Sequence, residues 1–328
     1  MNIGITSTIP VEVVYAAGKI PCDLNNIFIN DQNPERFIRQ AEEAGFPRTT
    51  CAWIKGIYGV MQEVHSERKL DTIIIVSGGD CSNTIALGEV LKHDGKRVIS
   101  FSYPVKPDLD EMEQTIGKLA RELGAEPDEI SACKKHLDTI RLKLKTIDRL
   151  TWQKMVVSGD ENLRYLVSSS DFNANPDQFA CEIDSFLEEV HHRQPIKKKI
   201  RLGLAGVPPI LNNLYTTLDR LDAAVVFNEV PRQFSLPWAP DCSLAQQYTH
   251  YTYPYQVERR LADIAQACRE RKIDGIIHYT QSFCFRQIED ILFKRILAVP
   301  TLTLEADQPG PLDGRTLTRI ETFIEMLR

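Results

Sequence analysis

Five of the eight cysteines lie where a thiol can do chemistry. Cys51, Cys81 and Cys284 each precede a helical pattern, while Cys22 and Cys242 lie in segments that the sequence predicts to be loops. The start of a helix favours the thiolate, which is the nucleophilic and metal-binding form of cysteine. Several thiolates together favour iron–sulfur or zinc. Because the chain has no Cys-x-x-Cys pair, such a centre must be assembled from distant segments.

The other three cysteines fit the interiors of helices. Cys133 and Cys268 lie in register with apolar residues at helical spacing, and Cys181 lies in a helical pattern near Phe179 and Ile183, so we predict that all three are small core residues. His278 lies inside a strand pattern and is predicted to be a buried, hydrogen-bonded histidine. A nucleophilic cysteine is the alternative to a metal centre for the remaining thiols, but the sequence places no histidine or acid beside any of them.

Cys81 and Cys284 occupy the same place in two copies of one pattern. The copies begin at Asp71 and Asp274, pass through an apolar strand and reach the cysteine ten residues later, before a helix and a further strand. Strand, helix and strand in this order predict a parallel sheet. Ligands of such sheets bind beyond the carboxyl ends of the strands. Both thiols are therefore predicted to lie at ligand-binding edges and to share one metal centre.

The remaining patterns predict an α/β protein with two similar, doubly wound domains of flavodoxin type and a helical connector between them. We expect an N-terminal α/β domain at residues 1–125, the connector at 126–195 and a C-terminal α/β domain at 196–328. The other predicted strands are 2–6, 26–29 and 97–101 in the first half, and 200–205, 222–227 and 299–304 in the second.

Composition indicates a globular protein of a reducing compartment. The 328 residues are 43% hydrophobic and 26% charged, with a net charge of −6 that gives no support for binding nucleic acid. No run reaches the roughly 18 apolar residues of a membrane span. The first residues lack a basic leader, so we expect a cytoplasmic protein without disulfides.

Several short segments follow one another in the order found in one known family. They are Val11–Pro21, which contains Ala-Ala-Gly after a proline and an acid, Pro47–Cys51 before a helix, the strand end at Cys81, and Gln281–Cys284. This ordered set covers nearly the whole chain. It resembles the 2-hydroxyacyl-CoA dehydratase and benzoyl-CoA reductase family, in particular its dehydratase D-component-like subunits, which include the double-cubane cluster proteins.

The resemblance implies an oxygen-sensitive enzyme of anaerobic metabolism. A 4Fe-4S iron–sulfur cluster would be held between the two α/β domains by Cys51, Cys81 and Cys284. The implied chemistry is low-potential and reductive, or a radical dehydration, as in a dehydratase-like lyase or an ATP-coupled reductase. The implied partners are an ATP-dependent iron–sulfur activator, an acyl-CoA substrate and a second copy of the chain in a homodimer.

Three other interpretations stay open at this point. The family's double-cubane proteins hold a larger 8Fe-9S cluster with additional cysteines, and Cys22 and Cys242 are the candidates for such further ligands. A cluster could also serve a non-catalytic electron carrier. A plain α/β sensor domain with reduced thiols and no metal is the third alternative.

Overall fold

The computed structural model describes residues 1–63, 69–237 and 242–328. The chain divides into two compact units, each assembled from three stretches of sequence. The predicted domain boundaries at 125 and 195 stay a prediction. The first unit consists of Met1–Leu142, Ser168–Ala180 and Leu236–Gln256, and the second of Lys143–Val167, Cys181–Ser235 and Val257–Arg328.

Each unit contains a four-stranded parallel sheet, and the two sheets have the same topology. The strand order is β2-β1-β3-β4 in the first unit and β6-β5-β7-β8 in the second, with every pairing parallel. This confirms the predicted α/β fold with two flavodoxin-like halves. The strands are β1 (Asn2–Ile5), β2 (Ile20–Asp23), β3 (Thr72–Gly78), β4 (Arg97–Ser102), β5 (Ile200–Gly206), β6 (Ala223–Asn228), β7 (Gly275–Thr280) and β8 (Thr301–Glu305).

The central strands are buried on both faces. In β3 the run Thr72–Val76 is buried throughout, and every residue of β7 is buried. A parallel sheet covered by helices on both sides requires such continuous apolar runs rather than alternation. This is why the duplicated pattern was visible in the sequence.

Proline and glycine mark the boundaries of two helices in the first half of the chain. Pro10 precedes α1 and Gly18 follows it with a left-handed φ of 65°, and Gly45 follows α3 with a φ of 102°. The helices are α1 (Val11–Ala16), α2 (Leu24–Ile29), α3 (Glu35–Glu43), α4 (Ala52–Met61), α5 (Asn83–His93), α6 (Leu109–Leu123) and α7 (Pro127–Arg149).

The remaining helices continue the predicted all-helical stretch and then alternate with the second sheet. A π-helical turn at Leu150–Lys154 follows α7 directly, and short 3-10 turns lie at Ser168–Ser170, Phe172–Ala174 and Phe285–Gln287. No helix in the described ranges is long and apolar enough to cross a membrane. The helices are α8 (Gly159–Val167), α9 (Pro176–His191), α10 (Leu214–Arg220), α11 (Glu229–Phe234), α12 (Leu244–His250), α13 (Val257–Arg271), α14 (Asp290–Ile296) and α15 (Gly314–Leu327).

The predicted strand at residues 26–29 is wrong, because that stretch belongs to α2. The strand lies just before it, at Ile20–Asp23, and forms an edge of its sheet beside β1. Pro21 is tolerated there because an edge strand has one side without ladder hydrogen bonds. Asp23 then ends the strand and caps α2, since its Oδ1 accepts a hydrogen bond from the Asn25 N–H at 2.9 Å.

Candidate metal centre

Cys81 lies where β3 ends and α5 begins. Gly79, with a left-handed φ of 88°, turns the chain directly after the strand, and the half-buried Cys81 follows two residues later. The Cys81 carbonyl accepts a hydrogen bond from the Thr84 N–H at 3.0 Å, in the turn that leads into α5. The thiol is therefore at the carboxyl end of a central parallel strand, as predicted, where such sheets bind their ligands.

Cys51 lies directly before α4 in the same unit. It is the N-cap residue of this helix, and its carbonyl accepts the Lys55 N–H at 3.1 Å. The Lys55 side chain is fully buried, and its Nζ donates to Glu42 at 2.7 Å and to the carbonyl of Arg48 at 3.0 Å. This buried lysine ties the loop that precedes Cys51 to the helix that follows it. The half-buried thiol is thus held at a helix start.

A cavity of about 300 Å³ lies in the first unit next to the segments that carry both of these thiols. Its walls include Thr50, the residue before Cys51, and Asn83, two residues after Cys81. Most of the other lining side chains are apolar, among them Ile54 of α4. The segments bearing Cys51 and Cys81 are therefore neighbours across one largely apolar cavity.

Cys284 takes the corresponding place in the second unit. β7 has the same position in its sheet as β3 has in the other, and Cys284 begins the 3-10 turn that follows β7. The Cys284 N–H donates to the Gln281 carbonyl at 3.1 Å, and the Cys284 carbonyl accepts from the Gln287 N–H at 2.9 Å. Phe283, directly before it, is 82% exposed and has a left-handed φ of 60°, a conformation that is costly for a bulky residue. A sharp turn thus presents this half-buried thiol.

His278 confirms the prediction of a buried histidine in β7. Its side chain is fully buried, its ring stacks on Phe293 with 4.1 Å between centroids, and Nδ1 lies 3.1 Å from Asp290 Oδ1. Burial lowers the pKa of His278, although Asp290 opposes this shift, so the ring is neutral at pH 7. Nε2 is buried without a hydrogen-bond partner. Burial would raise the pKa of Asp290, but His278, Lys294 and Thr303 lower it overall.

The two further candidate ligands differ in their surroundings. Cys22 lies within β2, opposite Gly4, with 1% of its surface exposed and its sulfur 3.9 Å from the Ile20 carbonyl. Its predicted loop position is therefore wrong, because the strand begins before Pro21. Cys242 is half-buried and lies directly before Ser243, which caps α12. The rest of its predicted loop, residues 238–241, lies outside the described residues.

The cysteines predicted to be core residues have three different outcomes. Cys268 is confirmed: it packs in the apolar core of the second unit, where burial raises the pKa of its thiol to about 11. Cys133 lies on α7 and is only half-buried, so its predicted core position is met in part; burial again raises the pKa of its thiol. The prediction for Cys181 is wrong, since this residue is exposed. On α9 it lies two residues from Phe179 and from Ile183, which is about 200° around a helix and hence on the opposite face.

A layer of tyrosines in the first unit was missed as a feature of the site. Tyr103, Tyr248, Tyr251 and Tyr255 are all buried, and the Tyr103 ring centroid lies 5.8 Å from that of Tyr251 and 6.0 Å from that of Tyr255. The Tyr103 hydroxyl donates to the carbonyl of Thr8 at 2.8 Å, just beyond β1.

The only sequence signal of this tyrosine layer was the tyrosine-rich stretch at 248–255. It lacks the basic residues of a nucleic-acid surface, and the structure uses it as packing near the carboxyl ends of β1 and β4. Burial raises the pKa values of Tyr103 and Tyr248 well above the usual range, so both phenols stay neutral.

The donor set fits a soft metal centre in its chemistry. Cys51, Cys81 and Cys284 are half-buried thiols at the starts of helical turns, which suits iron–sulfur ligation. The first two belong to the first unit and Cys284 to the second. Within the described ranges, no three His, Cys, Asp or Glu side chains form a group that could hold a metal ion by themselves.

Comparison with known proteins finds one protein family. The family model described as 2-hydroxyglutaryl-CoA dehydratase, D-component (HGD-D), matches residues 6–327. The matched range includes all three of these thiols and every strand except β1. A search of curated proteins finds no match to the chain.

Proposed function

Because the chain belongs to the family of 2-hydroxyglutaryl-CoA dehydratase D-components, we propose that it is an iron–sulfur enzyme of low-potential reductive or radical dehydration chemistry. Its substrate class is an acyl-CoA thioester, and its cluster is sensitive to oxygen. The observation that carries the proposal is the equivalent placement of Cys81 and Cys284. Each follows the corresponding inner strand of one of two sheets with identical strand order.

The proposed ligands are Cys51 and Cys81 of the first unit and Cys284 of the second. When bound, the cluster supplies a low-potential electron and a site for the substrate oxygen. The protein contributes orientation and exclusion of water. The apolar cavity beside Cys51 and Cys81 and the buried tyrosines near the carboxyl ends of β1 and β4 supply a surrounding of low polarity. In such surroundings, electrostatic interactions with the reacting group are stronger than in water.

A double cubane is the second candidate, and the position of Cys242 supports it. The stretch Leu236–Gln256, which carries Cys242, belongs to the same unit as Cys51 and Cys81 although it lies far from them in sequence. The burial of Cys22 within β2 supports the smaller cluster, because neighbouring residues cover all but 1% of its surface. Cluster size thus distinguishes a dehydratase-like site from a double-cubane reductase or electron carrier.

Iron and sulfide quantitation after anaerobic purification tests the proposed function. A single cubane gives about four irons per chain and a double cubane about eight. A chain purified and reconstituted without oxygen that holds no iron would contradict the proposal and leave the metal-free sensor. Reduction by an ATP-dependent iron–sulfur activator tests the proposed partner. A cubane that no such activator reduces would favour a passive electron carrier.

We also propose that the protein works in the reducing cytoplasm.

We further propose that two copies of the chain form a homodimer. The support for the dimer is that several exposed apolar side chains lie close together in sequence, around Cys284 and on α14, because clusters of exposed apolar residues mark interaction sites. Light scattering should give a dimer for the intact protein and a monomer for Ile288→Lys. The matched control Met326→Lys, at an exposed apolar position elsewhere, should stay dimeric. A monomeric protein with its cluster intact would contradict the dimer. The exposed group is Phe283, Phe285, Ile288, Ile291 and Ile296.

A further inference from the structure

The loop that carries Cys284 has little apolar anchoring of its own. From Ser282 to Asp290 only the Arg286 side chain is buried, while Phe283, Phe285 and Ile288 point into solvent. A loop of this kind is not held in place by the hydrophobic effect. Within the single chain, the position of the loop therefore depends on the polar contacts that its residues make.

At the start of the loop the Ser282 N–H donates to Asp307 Oδ1 at 3.0 Å. Near its end, the contacts of the buried Arg286 and of Glu289 lead to Arg260, which extends from α13 and is 1% exposed. Its Nη1 donates to Glu289 Oε2 at 2.6 Å, and Glu289 ends the Cys284 loop directly before α14. The other carboxylate oxygen of Glu289 accepts from Arg286 Nη1 at 3.2 Å. The Glu289 carboxylate therefore connects Arg286, the buried residue of the loop, to the guanidinium of Arg260.

Arg260 is itself fixed on its other side by Glu229. Its Nε and Nη2 donate to the two carboxylate oxygens of Glu229, both at 2.7 Å, in a bidentate pair. Glu229 is fully buried and directly follows β6, and its Oε2 also accepts the Gly206 N–H at 3.0 Å at the end of β5. Burial would raise the pKa of Glu229, but Arg260 and the Gly206 N–H lower it overall, so the carboxylate stays charged.

We propose that Arg260 is the positioning residue of the Cys284 thiol: through Glu229 it is anchored to the ends of β5 and β6, and through Glu289 it holds the loop after β7. The significance of this role for catalysis rests on the proposed function, because it assumes that Cys284 is a cluster ligand. The role of Arg260 in holding the loop in place does not rest on the proposed function, because it needs no bound cluster. A lysine at this position keeps the charge but loses the fork that reaches both acids.

The same helix offers a matched control. Arg271, at the other end of α13, is also buried and makes a bidentate pair, with Asp148 at 2.8 and 2.6 Å. It also donates to the carbonyl of Val226 at 2.9 Å. Arg271→Lys therefore removes the same kind of interaction from the same helix without touching the Cys284 loop.

The experiment measures alkylation of the cluster-free protein by iodoacetamide, with each cysteine quantified by peptide mass spectrometry. In Arg260→Lys the Cys284 thiol should react about tenfold faster than in the unaltered protein, a factor equal to 1.4 kcal/mol of loop opening. Cys51 and Cys81 should react at unchanged rates, and the exposed Cys181 serves as the internal standard. Arg271→Lys should leave the Cys284 rate unchanged.

Glu289→Gln gives a second reading should Arg260→Lys not fold, because Glu289 lies at the partly exposed end of the network. It should accelerate Cys284 in the same way. An unchanged Cys284 rate in the folded variants, or an equal increase in Arg271→Lys, would overturn the proposal. In the iron-loaded protein, Arg260→Lys and Glu289→Gln should each alter the electron paramagnetic resonance spectrum of the cluster. A chain that binds no iron would refute the proposed function, while the alkylation rates would still decide the role of Arg260.

Discussion

Gly79 faces Pro254 so closely that a β-carbon on Gly79 would lie 2.7 Å from the Pro254 β-carbon and 3.0 Å from its carbonyl oxygen. The glycine turns the chain between β3 and Cys81, and the proline belongs to the tyrosine-rich segment far along the sequence. The loop that carries Cys81 is therefore shaped by two requirements, a left-handed backbone and room for Pro254. Only glycine meets both.

Gly79→Ala should destabilise the protein more than a left-handed backbone alone explains. Gly95 is the control, because its φ of 83° is similar to the 88° of Gly79 and a β-carbon there would meet nothing within 4 Å. Gly95→Ala should cost about 1 kcal/mol of unfolding free energy. Gly79→Ala should cost about 1–3 kcal/mol more, because it also overpacks the contact with Pro254. Urea denaturation measures both, and equal costs would refute the contact.

Cys268 and Cys181 should differ sharply in reactivity. Burial raises the pKa of Cys268 to about 11, so about one thiol in a thousand is ionised at pH 8. The exposed Cys181 should be alkylated at pH 8 in the folded protein, and Cys268 should be labelled only after unfolding. Mass spectrometry of the native protein checks this. Fast native labelling of Cys268 would contradict its core position.

The two cysteines should also differ in what their replacement costs. Cys268→Ala leaves a small cavity in the core and should lower the unfolding free energy by about 1 kcal/mol. Cys181→Ala, on the exposed face of α9, should change it by less than about 0.5 kcal/mol. Denaturation curves of both variants measure the difference, and equal costs would contradict the assignment.

Stability should fall in mild acid through His278. The pKa of this histidine is lowered in the folded state by burial, so below its ordinary value of 6.5 the unfolded chain binds more protons than the folded one. Its contribution is therefore complete above pH 6.5 and is lost as the pH falls from there toward the folded pKa. His278→Gln should show a shallower loss of unfolding free energy between pH 7 and pH 5. If the unfolding free energies of the unaltered protein and of His278→Gln fell equally between pH 7 and pH 5, the destabilising effect of His278 protonation would be contradicted.

The sequence allowed the central elements and the thiols beside them to be predicted for a physical reason. Buried parallel strands appear as continuous β-branched runs, and the duplicated pattern placed Cys81 and Cys284 at equivalent strand ends. The short edge strand β2 could not be predicted in this way. Its four residues contain a proline and carry no periodic signal, while the capping of α2 by Asp23 shows only once the backbone is placed.

Tertiary partners left even less trace in the sequence. Arg260 fits an ordinary charged helix position, and nothing local indicates that Glu229 and Glu289 will enclose it. The segment at 242–256 follows β6 in sequence yet packs in the first unit, where its tyrosines meet Tyr103. Contacts between residues so distant in sequence depend on the assembled fold, and a pattern of period two or 3.6 cannot encode them.

The proposed ligand set is tested most directly by iron content after anaerobic purification of Cys51→Ser, Cys81→Ser and Cys284→Ser, with Cys181→Ser as the exposed control. A cluster held by three thiolates cannot lose one of them without severe weakening. Each of the three variants should therefore lose most of its iron and the visible absorption band, while Cys181→Ser keeps both. Full iron content and an unchanged band in Cys81→Ser and Cys284→Ser would contradict a shared cluster.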